Sequence, residues 1–393
     1  MEIDNSYKGR EHSLIKHELL KGYLEKLLFI VARGGVKEIT YIDCFAGPWG
    51  DQSEELKGTS IAISLEILSK VQNAIAAPPH NIVGTKFRAV YIEETMKRYK
   101  KLVNYLDKKC PSGIECYHFN DDYSNVQDEI LEKCGNGFAF FFVDPKGWAD
   151  VSVPKMQKLL EQQNSEFLII FMYDFLNRAI GMDALREQIC ALLGRLDDED
   201  IAELSEMDSK DRENYVVRLY RNALKESIAS NGVSKKWTYH ATVLDKDKER
   251  TKYHMVYMTG HPKGIIEFSR LSEKVDIFQV KVRSQTKFDQ KEEDTGITDM
   301  FGLDSDNIKD KESVDIIEVK KYWFSKLEID PKAFSEVDLA DMLEETGYLE
   351  SDLQNAFGEL LKEVKVENID MRNNRRIKRY VHFDKRERLR RCV

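Results

Sequence analysis

The amino-acid sequence predicts a doubly wound α/β sheet followed by a smaller domain of three helices and a β-hairpin. Three observations predict it. Apolar runs of strand length alternate with helical stretches through the first 283 residues. Two of those runs, FAFFFVD and FLIIFMY, are apolar on both faces, as central parallel strands covered by helices require. A polar, acidic stretch over residues 284–313 then separates this region from three short helical patterns and two β-like pieces over 314–393.

Taken in order, His12 to Ala32 places Leu14, Leu19, Leu20, Leu24, Leu27 and Leu28 at helical spacing, which predicts an amphipathic helix before the first strand. A β-run from Glu38 to Cys44 follows and closes on glycines. Further strands are predicted at Arg88 to Glu93, Glu115 to Phe119, Ala139 to Asp144, Phe167 to Met172, Trp237 to Val243 and His254 to Thr259. Helices are predicted between them at Thr59 to Ile75, Met96 to Lys108, Tyr123 to Cys134, Val153 to Gln162 and Asp183 to Leu193. The charged segment from Arg195 to Ser230 reads as a helical insertion beside the sheet. In the second domain, helices over Val314 to Leu327, Ser335 to Glu345 and Ser351 to Val364 precede strands at Lys365 to Ile369 and Lys378 to Phe383, the winged-helix arrangement.

Composition sets outer bounds. With 42% hydrophobic and 33% charged residues the chain has material for a core and too much charge for a membrane protein. No stretch approaches 18 uninterrupted apolar residues, and the amino terminus lacks the pattern of a signal peptide, so the cytoplasm is expected. Cys44, Cys110, Cys116, Cys134, Cys190 and Cys392 are scattered, with no CxxC pair and no histidine at ligand spacing, which predicts reduced thiols and no metal. The net charge is −9, yet residues 371–393 hold ten Lys/Arg against two acids, leaving about −17 for the rest. That polarity makes the carboxyl-terminal end the place where a nucleic-acid backbone would be attracted, unless it is a solvated tail.

The chemistry is expected at the carboxyl ends of the parallel strands, where a doubly wound sheet places its ligand. In YIDCFAGPWG the first strand ends in Asp43 and turns through Phe45, Gly47 and Gly50 toward a helix beginning near Thr59. Glycines let a backbone approach a ligand closely, and the carboxylate can hold a cationic group. Glu93 ends the second strand, where an acid can accept both hydroxyls of a ribose, with Glu94 as the alternative. Asp121 or Asp122 follows the third strand in the position that faces an adenine amino group, or else caps a helix. The fourth strand ends in VDPKGW. There Asp144 and the carbonyl of Pro145 would orient a planar amino group by its N–H bonds, chemistry that rests on orientation and needs no strong base. Trp148 would stack on a base or cap the core. Lys146 and Gly147 stand where an amino-directed tetrapeptide has a second proline and an aromatic.

IKHELLKGYLEKL (Ile15 to Leu27), YIDCFAGPWG, GTS, VYIEE, FVDPKGW, LIIFMYDFLNR (Leu168 to Arg178) and VYMTGHPKG (Val256 to Gly264) together resemble the three-Cys-motif partner (TcmP) proteins over roughly residues 12 to 275. The resemblance implies a Rossmann-like methyltransferase sheet, S-adenosylmethionine as cofactor, and action on nucleic acid in modification, repair or defence. It also implies a partner protein similar to radical-SAM enzymes. Lys16 and His17 fall on the amino-terminal motif and would line the mouth of the site, while Asn177 and Arg178 would end the fifth strand opposite. Trp49 departs from the family turn, which reads FAGPG.

In the second domain the presumed recognition helix, SDLQNAFGELLKEV, carries Asp352, Glu359 and Glu363 against Lys362, a poor composition for a phosphate-lined groove. The cations lie in the wing and tail, among them Arg372, Arg375, Arg376, Lys378, Arg379, Arg388 and Arg390. A backbone-dominated contact led by the wing is expected, with a protein-docking module as the competing reading. For the whole chain, the alternatives to a nucleic-acid methyltransferase are a non-catalytic adaptor that keeps the methyltransferase fold and, third, a small-molecule methyltransferase. Function follows from the site and not from the fold.

Overall fold

The structure, a computed structural model, describes residues 7, 11–47, 56–194, 196–229, 235–246, 248–295, 314–371 and 379–392. Two compact units divide between Gly260 and His261.

The first unit is a mixed α/β fold. Its strands are β1 (Glu38–Asp43), β2 (Lys86–Ile92), β3 (Ile114–Phe119), β4 (Phe138–Val143), β5 (Ser165–Phe171), β6 (Trp237–Leu244) and β7 (Thr251–Thr259). They form one seven-stranded sheet in the order β3-β2-β1-β4-β5-β7-β6. β1 through β5 pair in parallel, while β7 runs antiparallel to both β5 and β6. All seven strands expected from the sequence form. The helices are α1 (Glu11–Arg33), α2 (Ser60–Ala76), α3 (Met96–Lys109), α4 (Gln127–Cys134), α5 (Val153–Leu160), α6 (Tyr173–Ala179), α7 (Arg186–Leu193), α8 (Asp198–Glu206) and α9 (Ser209–Ala229).

The apolar strands explain the layering. Side chains alternate across the sheet, so each of β1, β4 and β5 needs cover on both faces. On one face Phe140 stacks on Tyr41 and meets Tyr23 of α1, a helix that also packs against α2. On the other, Ile42, Phe141, Val143 and Phe167 join Ile130 of α4, Met156 of α5, Leu192 of α7 and Tyr220 of α9 in one buried cluster. At the amino end of β5, buried Glu166 accepts hydrogen bonds from the hydroxyls of Tyr23 (2.8 Å), Tyr257 (2.7 Å) and Thr259 (2.7 Å), tying α1 to β5 and β7.

The charged segment from Arg195 to Ser230, expected to be helical, forms α8 and α9 in its described part. There α9 buries Val216, Val217, Tyr220, Leu224 and Ile228, and Tyr220 stacks on Phe171 of β5. Two expectations need correction. The cysteines are not all reduced, because Cys110 at the end of α3 and Cys116 in β3 form a disulfide across a short turn, while Cys44, Cys134, Cys190 and Cys392 are free. The strand expected over Lys378 to Phe383 is absent from its described part, residues 379–383: Phe383 opens a tight turn that passes through Arg386 with positive φ, and the partner of the preceding strand comes later.

In the second unit α10 (Pro262–Thr295) is one continuous helix, so the boundary expected at residue 283 falls inside it. It joins its unit through Arg270, which donates to Glu350 at 2.6 Å, and Glu273, which accepts from Ser351 at 2.6 Å. Next come α11 (Ile316–Lys326), β8 (Lys332–Ala333), α12 (Glu336–Thr346), α13 (Glu350–Lys362), β9 (Val366–Asn368) and β10 (Arg388–Arg391). The three strands form an antiparallel sheet in the order β8-β10-β9. Fully buried Trp323 centres this core, against Phe334, Phe357 and Phe383, and its indole N–H donates to the Leu353 carbonyl at 2.9 Å. Among the described residues no helix is long and apolar enough to cross a membrane.

The turn into β4 is tight enough to test. A Cβ at Gly137 would lie 2.4 Å from the Glu38 carbonyl oxygen and 2.8 Å from the Glu38 Cβ, both fixed by strand pairing. Gly137→Ala is therefore expected to destabilise the first unit by about 1–3 kcal/mol through overpacking. Urea unfolding measures it, and an unchanged midpoint would contradict the close approach.

Candidate functional site at the carboxyl ends of the strands

The sheet order reverses between β1 and β4: the chain grows outward from β1 to β3, then returns to place β4 on the other side. The crevice outside the carboxyl ends at such a reversal is where open α/β sheets bind ligands. Asp43 ends β1 there and is completely buried. Its carboxylate accepts from the Ser60 hydroxyl at 2.6 Å, at the start of α2, and from the Phe45 amide at 3.1 Å. Burial pushes the acid up to about 7 despite those two bonds; nearby Asp144 adds to the rise and the Lys16 ammonium opposes it. Phe45 stands edge-on to Tyr123 at 5.2 Å, and Gly47 is buried with its amide donating back to the Phe45 carbonyl. Gly50 lies outside the described residues, as does Trp49.

Glu93 follows β2 and is 3% exposed. Its Oε1 accepts from the Thr95 amide at 2.6 Å and from Arg98 at 2.8 Å, so this acid is already held on one side by an arginine. Asn120, just past β3, clamps the same corner by donating to the carbonyls of Glu93 (2.8 Å) and Glu94 (2.9 Å). Asp121 and Asp122 shape the next turn. Asp121 accepts from the Asp122 amide and the Asn125 side chain, and Asp122 from the Ser124 amide at 2.8 Å. Neither acid caps the following helix, α4, whose N-cap is Val126.

After β4, Asp144 and Lys16 of α1 form an ion pair with side chains only 21% and 12% exposed. Asp43 responds to both charges, which places three ionisable groups from two neighbouring strands and the first helix at the switch point. Pro145 is buried and Lys146 exposed. Trp148 is 8% exposed and belongs to the apolar cluster beneath the sheet, so it does not form an open wall for a base. His17, one residue from Lys16, faces away into the protein, with its Nδ1 3.0 Å from the Tyr7 hydroxyl. A helix turns successive side chains about 100° apart, and only one of the two could face the crevice.

His12 lies one turn before Lys16. Burial, with the Lys16 and Lys252 ammonium groups, lowers its imidazole to about 4. Tyr253 in β7 stacks edge-on against it, donates to its carbonyl at 2.6 Å, and senses the charge of Asp144. This links the crevice to the ends of β5 and β7, where sequence reasoning missed a cluster. Arg178 and Asn177 sit on α6, past the end of β5. Asp174 of α6 draws in Arg178 (3.5 Å), Arg250 (3.4 Å) and Lys252 (4.0 Å), and Arg178 lies 4.9 Å over the ring of Phe175. Phe175 was missed because FLIIFMYDFL reads as one apolar run; the helix that begins at Tyr173 turns it outward.

A separate hollow of about 440 Å³ opens between α2 and α3, lined by Leu65, Tyr105 and Pro111 among others, and includes none of the strand-end acids. No group of three or more candidate metal ligands occurs among the described residues. In the second unit, Arg375 and Arg376 lie outside the described residues, with Arg372 and Lys378. Three of the described cations there pair with acids: Arg379 with Glu350 (3.7 Å), Arg388 with Asp370 (2.7 Å) and Arg390 with Glu367 (2.6 Å).

Comparison with known proteins gives little beyond this geometry. No family model matches the chain, and no curated protein matches it. Twenty-nine chains of solved structures match. One is the crystal structure of protein LPL1258 from Legionella pneumophila str. Philadelphia 1, described with family model DUF519. It is 13% identical and covers 67% of this chain and 91% of its own, with a TM-score of 0.36.

Proposed function

We propose that the protein is an S-adenosylmethionine-dependent methyltransferase acting on nucleic acid, as its resemblance to the three-Cys-motif partner proteins implies. The observation that carries this reading is the convergence of Asp43, Asp144 and Lys16 at the reversal between β1 and β4. The sheet order, with only β7 reversed, agrees with a Rossmann-like methyltransferase sheet.

The donor set suits the cofactor. Buried Asp43 offers a carboxylate to the methionine amino group, and Glu93, whose Oε1 the Thr95 amide and Arg98 hold, offers one to the ribose hydroxyls. Bound there, S-adenosylmethionine supplies an electrophilic methyl group. The chain's own contribution is orientation: Asp144 and the Pro145 carbonyl accept N–H bonds from an acceptor amino group, and the ion pair with Lys16 fixes the carboxylate before an acceptor arrives. Lys16 must share or yield that carboxylate, which makes it the residue that admits the acceptor. The second unit reads as a winged helix, with three helices and a small antiparallel sheet, and its basic wing would contact phosphates.

A second reading, a catalytically silent adaptor that recruits nucleic acid or a radical-SAM-like partner, is favoured by one feature: Arg98 already holds Glu93 and Lys16 already holds Asp144. Calorimetric titration with S-adenosylmethionine separates the two. The methyltransferase reading expects a Kd near or below about 100 µM, roughly −5.5 kcal/mol, lost in a folded Glu93→Ala protein. No binding to the intact protein would leave the adaptor.

A further inference from the structure

From the cluster at the ends of β5 and β7, and resting on the nucleic-acid reading above, we infer that Phe175, Arg178 and Lys252 form a docking platform for one nucleotide of a single-stranded acceptor. Phe175 is 40% exposed at the carboxyl end of the sheet, where a large aromatic side chain gains nothing from the core. The Arg178 guanidinium lies 4.9 Å from its ring centroid and the Lys252 ammonium 6.0 Å. A guanidinium stacked on a phenyl ring presents a flat, cationic surface, and nucleobases lie on aromatic rings and on arginine planes alike.

The charges around the ring suit an anion beside that base. Arg178, Arg250 and Lys252 gather around Asp174, and Arg250 also bonds Asp245 at 3.0 Å, so three cations face two carboxylates. The carboxylates hold the cations in place around the ring, where they can meet a phosphate. The platform also continues into the crevice. Lys252 and Lys16 both act on the His12 imidazole, which stacks on Tyr253, and Tyr253 senses Asp144. A chain of side chains therefore runs from the ring to the carboxylate that would orient the reacting nucleotide. Trp148, the aromatic in the motif itself, is buried beneath the sheet, and Phe175 supplies the stacking surface that Trp148 does not.

The test uses the full chain and short single-stranded oligonucleotides of mixed sequence, with DNA and RNA compared, and needs no methyl transfer. Phe175→Ala is expected to weaken binding about 5- to 150-fold, the measured range for one base–aromatic stack. Phe175→Leu should weaken it nearly as much, since a leucine is apolar but has no ring face. Arg178→Gln should lower the slope of log K against log salt by about 0.7, the single-strand value for one phosphate contact. Because the basic wing can also bind, the local readout is decisive: in the Phe175→Trp variant the added indole fluorescence should be quenched as oligonucleotide saturates. Binding by the intact protein with no quench, and no loss in Phe175→Ala, overturns the platform and leaves the nucleic-acid reading standing. No oligonucleotide binding by the intact protein overturns both.

Discussion

Asp43→Asn is expected to make the first unit more stable at pH 8 and unable to bind S-adenosylmethionine. The carboxyl of Asp43 is wholly buried and lies at about 7, against 3.8 for an ordinary aspartate. Its folded value is above its unfolded one, so the contribution to stability is fully present below about pH 4 and is lost as the pH rises through 7. Three units correspond to about 4 kcal/mol, the cost of carrying this buried charge above neutrality. Asparagine removes the charge and keeps the shape. Its carbonyl can accept from the Phe45 amide as the carboxylate does, and the Ser60 hydroxyl, which now donates to Asp43, can turn to accept from the new amide. Urea unfolding of both proteins at pH 5 and pH 8 should show a gap that opens with pH in favour of the variant. Equal stability at both pH values would mean that Asp43 ionises without cost. Calorimetry on the same two proteins gives the functional half, since stability held back at a binding site is the usual trade between fold and function.

That trade explains what could be read from the sequence. Strands such as FAFFFVD announce themselves because burial on both faces leaves no alternative composition. The strand-end acids Asp43, Glu93 and Asp144 were legible for the same reason: a charged residue ending an apolar strand is rare unless something uses it. What surrounds them was not legible. Nothing in the spacing of Lys16 and Asp144, 128 positions apart, reports that α1 lays the ammonium on that carboxylate, and the choice between Lys16 and His17 depends on the rotation of one helix. Nor does the sequence report that Asp121 and Asp122 accept from backbone amides of their own turn. Phe175 was hidden by apolar neighbours. The carboxyl-terminal cations illustrate the opposite error, since Arg388 and Arg390 count toward a basic tail by composition but each bonds an acid on β9 or just beyond it.

The Lys16–Asp144 pair carries the largest expected effect on chemistry. In a folded protein, Asp144→Ala should lower methyl transfer by about 10²-fold or more, because an acceptor held an ångström out of line loses that much. Lys16→Met should act differently. The methionine keeps most of the aliphatic packing, but Asp144 loses its ion-pair partner and Asp43 the cation that opposes its rise. With the Lys16 ammonium gone, the Asp43 acid should rise further, and the acidic limb of the pH dependence of kcat/KM should move upward. At this degree of burial the two substitutions should also be non-additive in stability, with the double variant losing about 1–3 kcal/mol less than the sum of the two single losses. If Lys16→Met leaves both the pH profile and the unfolding midpoint where they were, the ammonium does not govern Asp144, and the acceptor site would have to be sought on the β5 side of the crevice, around Asp174 and Tyr253.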